Sequence, residues 1–186
     1  MKFVVGFVGL LASGKTTAAR FAARALECRA FALGDEVRLA LKKKKTRVTR
    51  EALQKLSARE KAKRGNGVWA RRLVARIRKT GARIAVVEGF RNLDEVRVFR
   101  RAFRKKFVLI AVTAPVELRY HRAKRRMRES ERVASLAAFK KSEAFEAKGA
   151  GWGIAACVAE ADEEIKNSGS ACGLRNRVEG RVKRLK

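Results

Sequence analysis

Phe3-Val4-Val5-Gly6-Phe7-Val8 is apolar at every position, without the polar alternation of a half-exposed strand. Such a run predicts a parallel strand buried on both faces. Residues 15–27 then read as a helix. Residues 30–33 read as a second short strand ending at Gly34-Asp35, where Asp35 is suited to cap the next helix. Over residues 36–80 the apolar spacing is helical, with breaks at residues 42–47 and at Gly65-Asn66-Gly67. Arg83-Ile84-Ala85-Val86-Val87 is a third buried strand, a helix is expected from near Asn92, and residues 107–112 are a fourth strand. Thr113-Ala114-Pro115 opens another helix, with proline at a tolerated first-turn position. A helix over residues 131–147 is broken by Gly149, Gly151 and Gly153. A weak strand near residues 163–166 and a terminal helix after Asn167-Ser168-Gly169-Ser170 complete the pattern. Strands and helices alternating at this spacing predict an α/β fold with right-handed crossovers. No internal repeat or linker interrupts them, so the reading is one domain over residues 1–186.

Composition adds a core and a charge. The chain is 47% hydrophobic, enough to bury a proper interior, yet it carries 47 Lys and Arg against 18 Asp and Glu, a formal charge of +29. A disordered basic tail would lack that apolar fraction, so the charge sits on a folded body. Three cysteines, Cys28, Cys157 and Cys172, show no CxxC spacing and fit no closed disulfide set, which argues for a reduced, cytoplasmic setting. The longest apolar stretch falls far short of the roughly 18 residues of a membrane span and runs into no cleavage site, so neither membrane nor export is expected.

The first strand leads directly into Gly9-Leu10-Leu11-Ala12-Ser13-Gly14-Lys15-Thr16, a full match to the P-loop pattern GxxxxGK[ST] in its strand-to-helix context. Glycines at this spacing let backbone N–H groups turn inward around a phosphate, and the helix N-terminus adds its positive end. Gly9, Ala12, Ser13, Gly14, Lys15, Thr16 and Thr17 are the candidate nucleotide-binding residues. Lys15 is expected to bridge the terminal phosphates of ATP, and the Thr16 hydroxyl to ligate Mg²⁺. No Asn-Lys-x-Asp guanine-reading motif is present, which argues against a Ras-like GTPase, and the chain is short for a motor ATPase. The third strand ends in Glu88-Gly89-Phe90-Arg91. There Glu88 can hold a water on Mg²⁺, and the forked guanidinium of Arg91 can grip a second phosphate.

Gly34-Asp35-Glu36-Val37-Arg38 resembles the Gly-Asp-x-x-Arg of adenylate kinases, and Glu88-Gly89-Phe90-Arg91 resembles their Asp-Gly-Phe-Pro-Arg with the acid changed and the proline missing. Further marks are Asp94-Glu95-Val96, Phe107-Val108-Leu109-Ile110-Ala111-Val112 before Ala114-Pro115, Gly151-Trp152-Gly153-Ile154, and Ala161-Asp162 ahead of Asn167-Ser168-Gly169-Ser170. With them, nearly the whole chain resembles an archaeal family of adenylate-kinase-related proteins that also resemble dephospho-CoA kinases. The resemblance implies the P-loop NTPase nucleotide-kinase fold, a five-stranded parallel sheet flanked by helices. It also implies a helical acceptor-binding region over about residues 36–80 and a lid over about residues 119–148. The implied activity is ATP/Mg²⁺-dependent phosphoryl transfer to a small nucleotide-like acceptor. By the same resemblance Arg38 and Arg91 bind the acceptor phosphate, and Asp35 orients the acceptor or a Mg²⁺-bound water. In dephospho-CoA kinases an Asp in this neighbourhood serves as base toward a sugar hydroxyl, which keeps hydroxyl transfer as an alternative.

In the lid segment Arg122, Arg125 and Arg126 share one helix face and are expected to stabilise the transferring γ-phosphoryl group. The expected catalytic set is thus Lys15, Asp35, Arg122 and Arg126. The chain departs from its relatives where they carry an Arg-Asp-Glu-Arg-like run. Ser142 and Phe145 stand at the arginine positions, and Lys140 or Lys141 offers only a point charge in exchange.

His121 is the sole histidine, so no His-based metal cluster or Ser-His-Asp triad exists, and a place on the polar face of the lid is expected for it. Cys157 is expected to pack, Trp69 to sit in the core or a pocket wall, and Trp152, set between glycines, is a candidate flank for a base. Residues 42–79 hold sixteen Lys and Arg against Glu51 and Glu60. Gripping a mononucleotide takes only a few cations. The surplus supports a third reading, an RNA- or ribosome-associated ATPase that binds its partner through this region and uses the kinase fold as a switch.

Overall fold

The computed structural model describes residues 3–126, 135–148 and 153–185. Strands β1 (Phe3–Val8), β2 (Arg29–Ala32), β3 (Ile84–Glu88), β4 (Phe107–Thr113) and β5 (Glu163–Lys166) form one parallel sheet in the order β2-β3-β1-β4-β5. The connecting helices are α1 (Lys15–Ala25), α2 (Leu33–Lys43), α3 (Arg50–Arg64), α4 (Val68–Lys79), α5 (Leu93–Phe103), α6 (Val116–Arg126), α7 (Leu136–Lys148), α8 (Ile154–Ala159) and α9 (Ala171–Lys183).

The unbroken apolar run of β1 is explained by its central position. Its side chains alternate between two cores with the two-residue period of a strand. Val4 and Val8 join Ala85, Val87 and Leu109 in the core covered by α2 to α5, while Phe3, Val5 and Phe7 join Val86, Ile110 and Val112 beneath α1 and α9. Phe90, ahead of α5, and Phe99, within it, meet edge-on with ring centres 5.2 Å apart, and both rings pack on Phe107 of β4. Aromatic pairs of this kind contribute about 0.5–1.5 kcal/mol beyond simple burial. They fix the chain at Phe90, immediately before Arg91.

From β1 the chain first moves toward β2 and later crosses to β4 on the opposite side. The P-loop therefore lies at the switch point of the sheet, outside the carboxyl ends of the strands, where open α/β folds bind ligands. The pairing register sets Phe7 beside Glu88, so the acid that ends β3 adjoins the strand that feeds the P-loop.

Two boundaries differ from expectation by three residues or more. Helix α2 begins at Leu33, its cap position is Ala32 in extended backbone without a side-chain cap, and Asp35 lies in the first turn instead of capping. The reason is tertiary: Leu33 is 3% exposed, and packing it into the core outweighs the capping preference of an aspartate two residues on. The helix expected over residues 131–147 is observed as α7, Leu136–Lys148, and residues 131–134 lie outside those described. Among the described residues no helix is long and apolar enough to cross a membrane.

Candidate nucleotide and acceptor sites

Beyond β1 the chain turns through Ala12 (φ 58°) and Gly14 (φ 99°), two left-handed residues on either side of Ser13. Alternating handedness of this kind points successive backbone N–H groups toward one concave side, which suits an anion. Sterics demand the two glycines. A Cβ on Gly9 would collide with the Val112 carbonyl oxygen and Ser13 Oγ, and one on Gly14 with the Asn167 side-chain amide. Helix α1 then starts at Lys15 with no side-chain cap, which leaves its first N–H groups to an external acceptor. Ser13 is fully buried, and its hydroxyl has no hydrogen-bond partner among the described residues. A buried hydroxyl left so is costly, and a phosphate oxygen in the loop would satisfy it.

Lys15 folds back over the loop with Nζ 3.5 Å from the Leu10 carbonyl oxygen. Thr16 Oγ1 donates to Glu88 Oε2 at 2.6 Å. A hydroxyl and a carboxylate side by side form a hard oxygen donor set, the kind a small divalent cation such as Mg²⁺ selects.

One residue beyond Glu88, Gly89 lines a cavity of about 320 Å³ that opens between α2, α3 and the start of α5. Arg38, Ser57, Lys61, Trp69, Arg91 and Glu95 contribute to its wall. Helix α5 is capped by Asn92, whose Oδ1 accepts the Glu95 N–H at 3.0 Å, and the Glu95 carboxylate reaches back to accept the Arg91 N–H at 2.7 Å. Trp69 Nε1 donates to Ser57 Oγ at 3.1 Å, which ties α4 to α3 across the wall. Burial pushes the Glu95 carboxyl above its ordinary value, against the opposing effects of the Arg91 N–H and the Lys61 and Arg91 charges. Burial likewise pulls the Lys61 amine down.

Several sequence-expected residues meet. Thr16 pairs with Glu88, and Arg38 and Arg91 share one cavity. Asp35 does not line that cavity; its carboxylate accepts from Arg38 at 2.9 Å. In the lid segment, Arg122 donates to the backbone oxygen of Asn167 at 3.0 Å and to its Oδ1 at 3.3 Å, and Arg125 is exposed. The side chains of Arg126, Ser142 and Phe145, and Trp152 altogether, lie outside those described. His121 is exposed, as expected of a polar face, and Cys157 is fully buried with its thiol pushed up to about 12, as packing requires.

Other residues of the site escaped sequence reasoning. Arg119 is 5% exposed and serves the P-loop instead of the lid surface. Its guanidinium donates to the Ala114 oxygen at 2.8 Å, reaches the Leu11 oxygen at 3.4 Å, and is clamped by both carboxylate oxygens of Glu143. Asn167 Nδ2 donates to the Ser13 backbone oxygen at 2.8 Å. The available signal was its position: a polar residue just past the carboxyl end of a parallel strand stands where such sheets gather ligand contacts.

Known proteins share the sequence family and the fold. The AAA domain family matches residues 8–137. A UPF0200 protein of Methanosarcina mazei is 32% identical over 168 residues, covering 90% of this chain and 87% of its own length. A shikimate kinase from Acinetobacter baumannii, solved with shikimate, superposes with a TM-score of 0.59 at 16% identity over 98% of this chain and 92% of its own. A gluconokinase from Sinorhizobium meliloti gives 0.58 at 11% identity over 99% and 93%. At these identities the two kinases speak for the fold alone, a P-loop kinase-like architecture. The relation to the Methanosarcina protein runs through the sequence itself, and the chain belongs to the archaeal UPF0200 family.

Proposed function

We propose that the protein is a phosphotransferase that uses ATP and Mg²⁺ to phosphorylate a small, nucleotide-like acceptor. One observation carries this reading: a cavity of about 320 Å³ begins one residue past Glu88 and carries Arg38 and Arg91 on its wall. Two guanidiniums there suit an anionic acceptor, since each offers forked donors to a phosphate. The volume lies at the small end for ligand sites. It suits a mononucleotide better than the much longer dephospho-CoA.

The P-loop N–H groups and Lys15 would hold the donor phosphates, Thr16 would ligate the cation, and Glu88 would hold it through a water. The chemistry such an ion would supply, held at Thr16 and Glu88, is neutralisation of charge on the transferring group. A phosphate acceptor is already an anion and needs positioning and charge neutralisation more than a base. Asp35 fits that demand, because its pairing with Arg38 orients the guanidinium. Arg122, steadied by Asn167, and Arg126 are assigned to the γ-phosphoryl group. The kinase-like fold supports phosphoryl transfer at the level of reaction type.

ATP consumption should be measured with AMP, CMP, GMP, UMP, dephospho-CoA, shikimate and gluconate as acceptors. The expected outcome is Mg²⁺-dependent turnover with a nucleoside monophosphate, lost in Arg38→Ala and Arg91→Ala. Turnover confined to dephospho-CoA or a hydroxy acid would reassign the acceptor. A Lys15→Ala variant that kept normal ATP affinity would sink the whole reading.

A further inference from the structure

Helix α3 divides its residues among three faces. Leu56, with the half-buried Ala52 and Leu53, rests on the core. Gln54, Ser57 and Lys61 turn to the acceptor cavity. Lys55, Arg59 and Lys63 are exposed at i, i+4 and i+8, so they form a row along the helix with steps of about 6 Å. Where α3 ends, an open hollow of about 350 Å³ lies against α4, lined by Arg64, Arg71 and Arg72 over Val68 and Ala75. Two of these guanidiniums are pinned in place. Arg71 donates to the Arg64 carbonyl, and Arg72 is held by Glu60 and by the Trp69 ring, 4.7 Å from its centre. Glu60, which also pairs with Arg64 at 3.5 Å, brings one negative charge to three positive ones. From the last turn of α2 to the first residue of α3, Lys42, Lys43, Lys44, Lys45, Arg47 and Arg50 are all exposed.

We propose that this α3–α4 face is a docking surface for single-stranded nucleic acid, gripped through its phosphodiester backbone. A row of cations running into a cluster of forked donors matches a linear array of phosphates. A protein partner fits poorly, because protein interfaces are depleted in lysine, and lysine dominates the approach to α3. A lipid surface fits poorly as well, since a helix lying on a membrane presents an apolar stripe outward. The apolar stripe of α3 faces inward, and the large apolar side chains exposed among the described residues are only Leu39 and Val48. Apart from the His121 imidazole on α6, no aromatic ring is exposed among them to stack on bases, so recognition runs through phosphates, tolerates sequence and depends steeply on salt. The surface stands on its own charges. Lys55, Arg59, Lys63 and Arg71 belong to neither the P-loop nor the acceptor cavity.

The test is binding of fluorescent single-stranded RNA and DNA oligomers of about 16 nucleotides, titrated across NaCl concentrations in the absence of ATP. Both are expected to bind, with the logarithm of affinity falling linearly with the logarithm of salt. The Lys55→Ala/Arg59→Ala/Lys63→Ala variant is expected to fold with unchanged circular dichroism and to bind an ATP analogue normally. Its salt slope should be shallower by about 2, at roughly 0.7 per lost single-strand phosphate contact. Adding Arg71→Ala should flatten the slope again. No oligomer binding at low salt, an unchanged slope in the variant, or a preference for phosphatidylserine vesicles over both oligomers would overturn the proposal. Failure here leaves the phosphotransferase reading intact, and normal ATP affinity in Lys15→Ala would sink that reading without touching this one.

Discussion

Asn167 joins the P-loop to α6 with one side chain and one carbonyl. Its amide donates to Ser13 in the P-loop, its two oxygens receive Arg122 from α6, and it occupies the space that forbids a Cβ on Gly14. Removing it leaves the Ser13 carbonyl without this donor in a buried setting, a loss of about 1–3 kcal/mol. Asn167→Ala is therefore expected to lower the urea midpoint and to weaken binding of an ATP analogue by isothermal titration. Asn167→Asp keeps acceptors for Arg122 yet cannot donate to Ser13, so it should damage nucleotide binding as well. Wild-type affinity in both variants would show that the P-loop holds its shape unaided. The contrast with the P-loop itself explains what was legible in the chain. Gly9, Gly14, Lys15 and Thr16 stand within one short stretch of chain, so their pattern is written in nearby residues even where their contacts are distant. Asn167 meets Ser13 across 154 positions, and Arg119 meets Glu143 across 24, contacts for which no short pattern exists.

At the scale of elements, α5 delivers Arg91 to the cavity, and it does so with a buried carboxylate. Glu95 is 3% exposed and holds the Arg91 N–H, while burial raises its carboxyl above its ordinary value. Below about that value both folded and unfolded chains carry the proton, and burial of the carboxylate costs nothing. As pH rises past it the unfolded chain ionises first, so unfolding releases a proton and stability falls until the folded group also ionises. Glu95→Gln keeps an acceptor for the Arg91 N–H and cannot ionise. It is expected to flatten that fall in urea melts taken across pH and to match or exceed wild-type stability above the window. A variant less stable than wild type at neutral pH would mean that attraction to Lys61 and Arg91 outweighs burial. The same scale shows where periodicity succeeded and where it stopped. Strands β1, β3 and β4 were legible because burial on two faces leaves a nearly unbroken apolar run, whereas the edge strand β5 buries only Ile165 and gave a weak signal. The start of α2 was not, because the depth of Leu33 is decided by partners in other elements, which Gly34-Asp35 cannot reveal.

For the whole molecule the governing quantity is a charge of +29, from 47 cations and 18 acids. Pairs such as Arg38 with Asp35 and Arg97 with Asp94 are solvent-exposed, and exposed pairs contribute about 0.2–1 kcal/mol each. The excess cations repel one another, and that repulsion opposes the compact state. A folded chain of this length has a radius of gyration of about 16 Å. At about 0.01 M salt the screening length is about 30 Å, so nearly every charge feels every other; at about 0.15 M it is about 8 Å, and only neighbours interact. The melting temperature is therefore expected to rise with NaCl, with most of the gain complete by about 0.15 M. A melting temperature that fell with salt would show that attractive pairs outweigh the surplus. Neutralising Lys55, Arg59 and Lys63 should raise stability at low salt and narrow the difference between low and moderate salt. A polyanion bound along α3 would relieve the same repulsion and stabilise by mass action. The gain it confers should therefore be largest where NaCl is lowest and should shrink as salt displaces it. The charge that burdens the free fold thus becomes the source of affinity once phosphates lie along it.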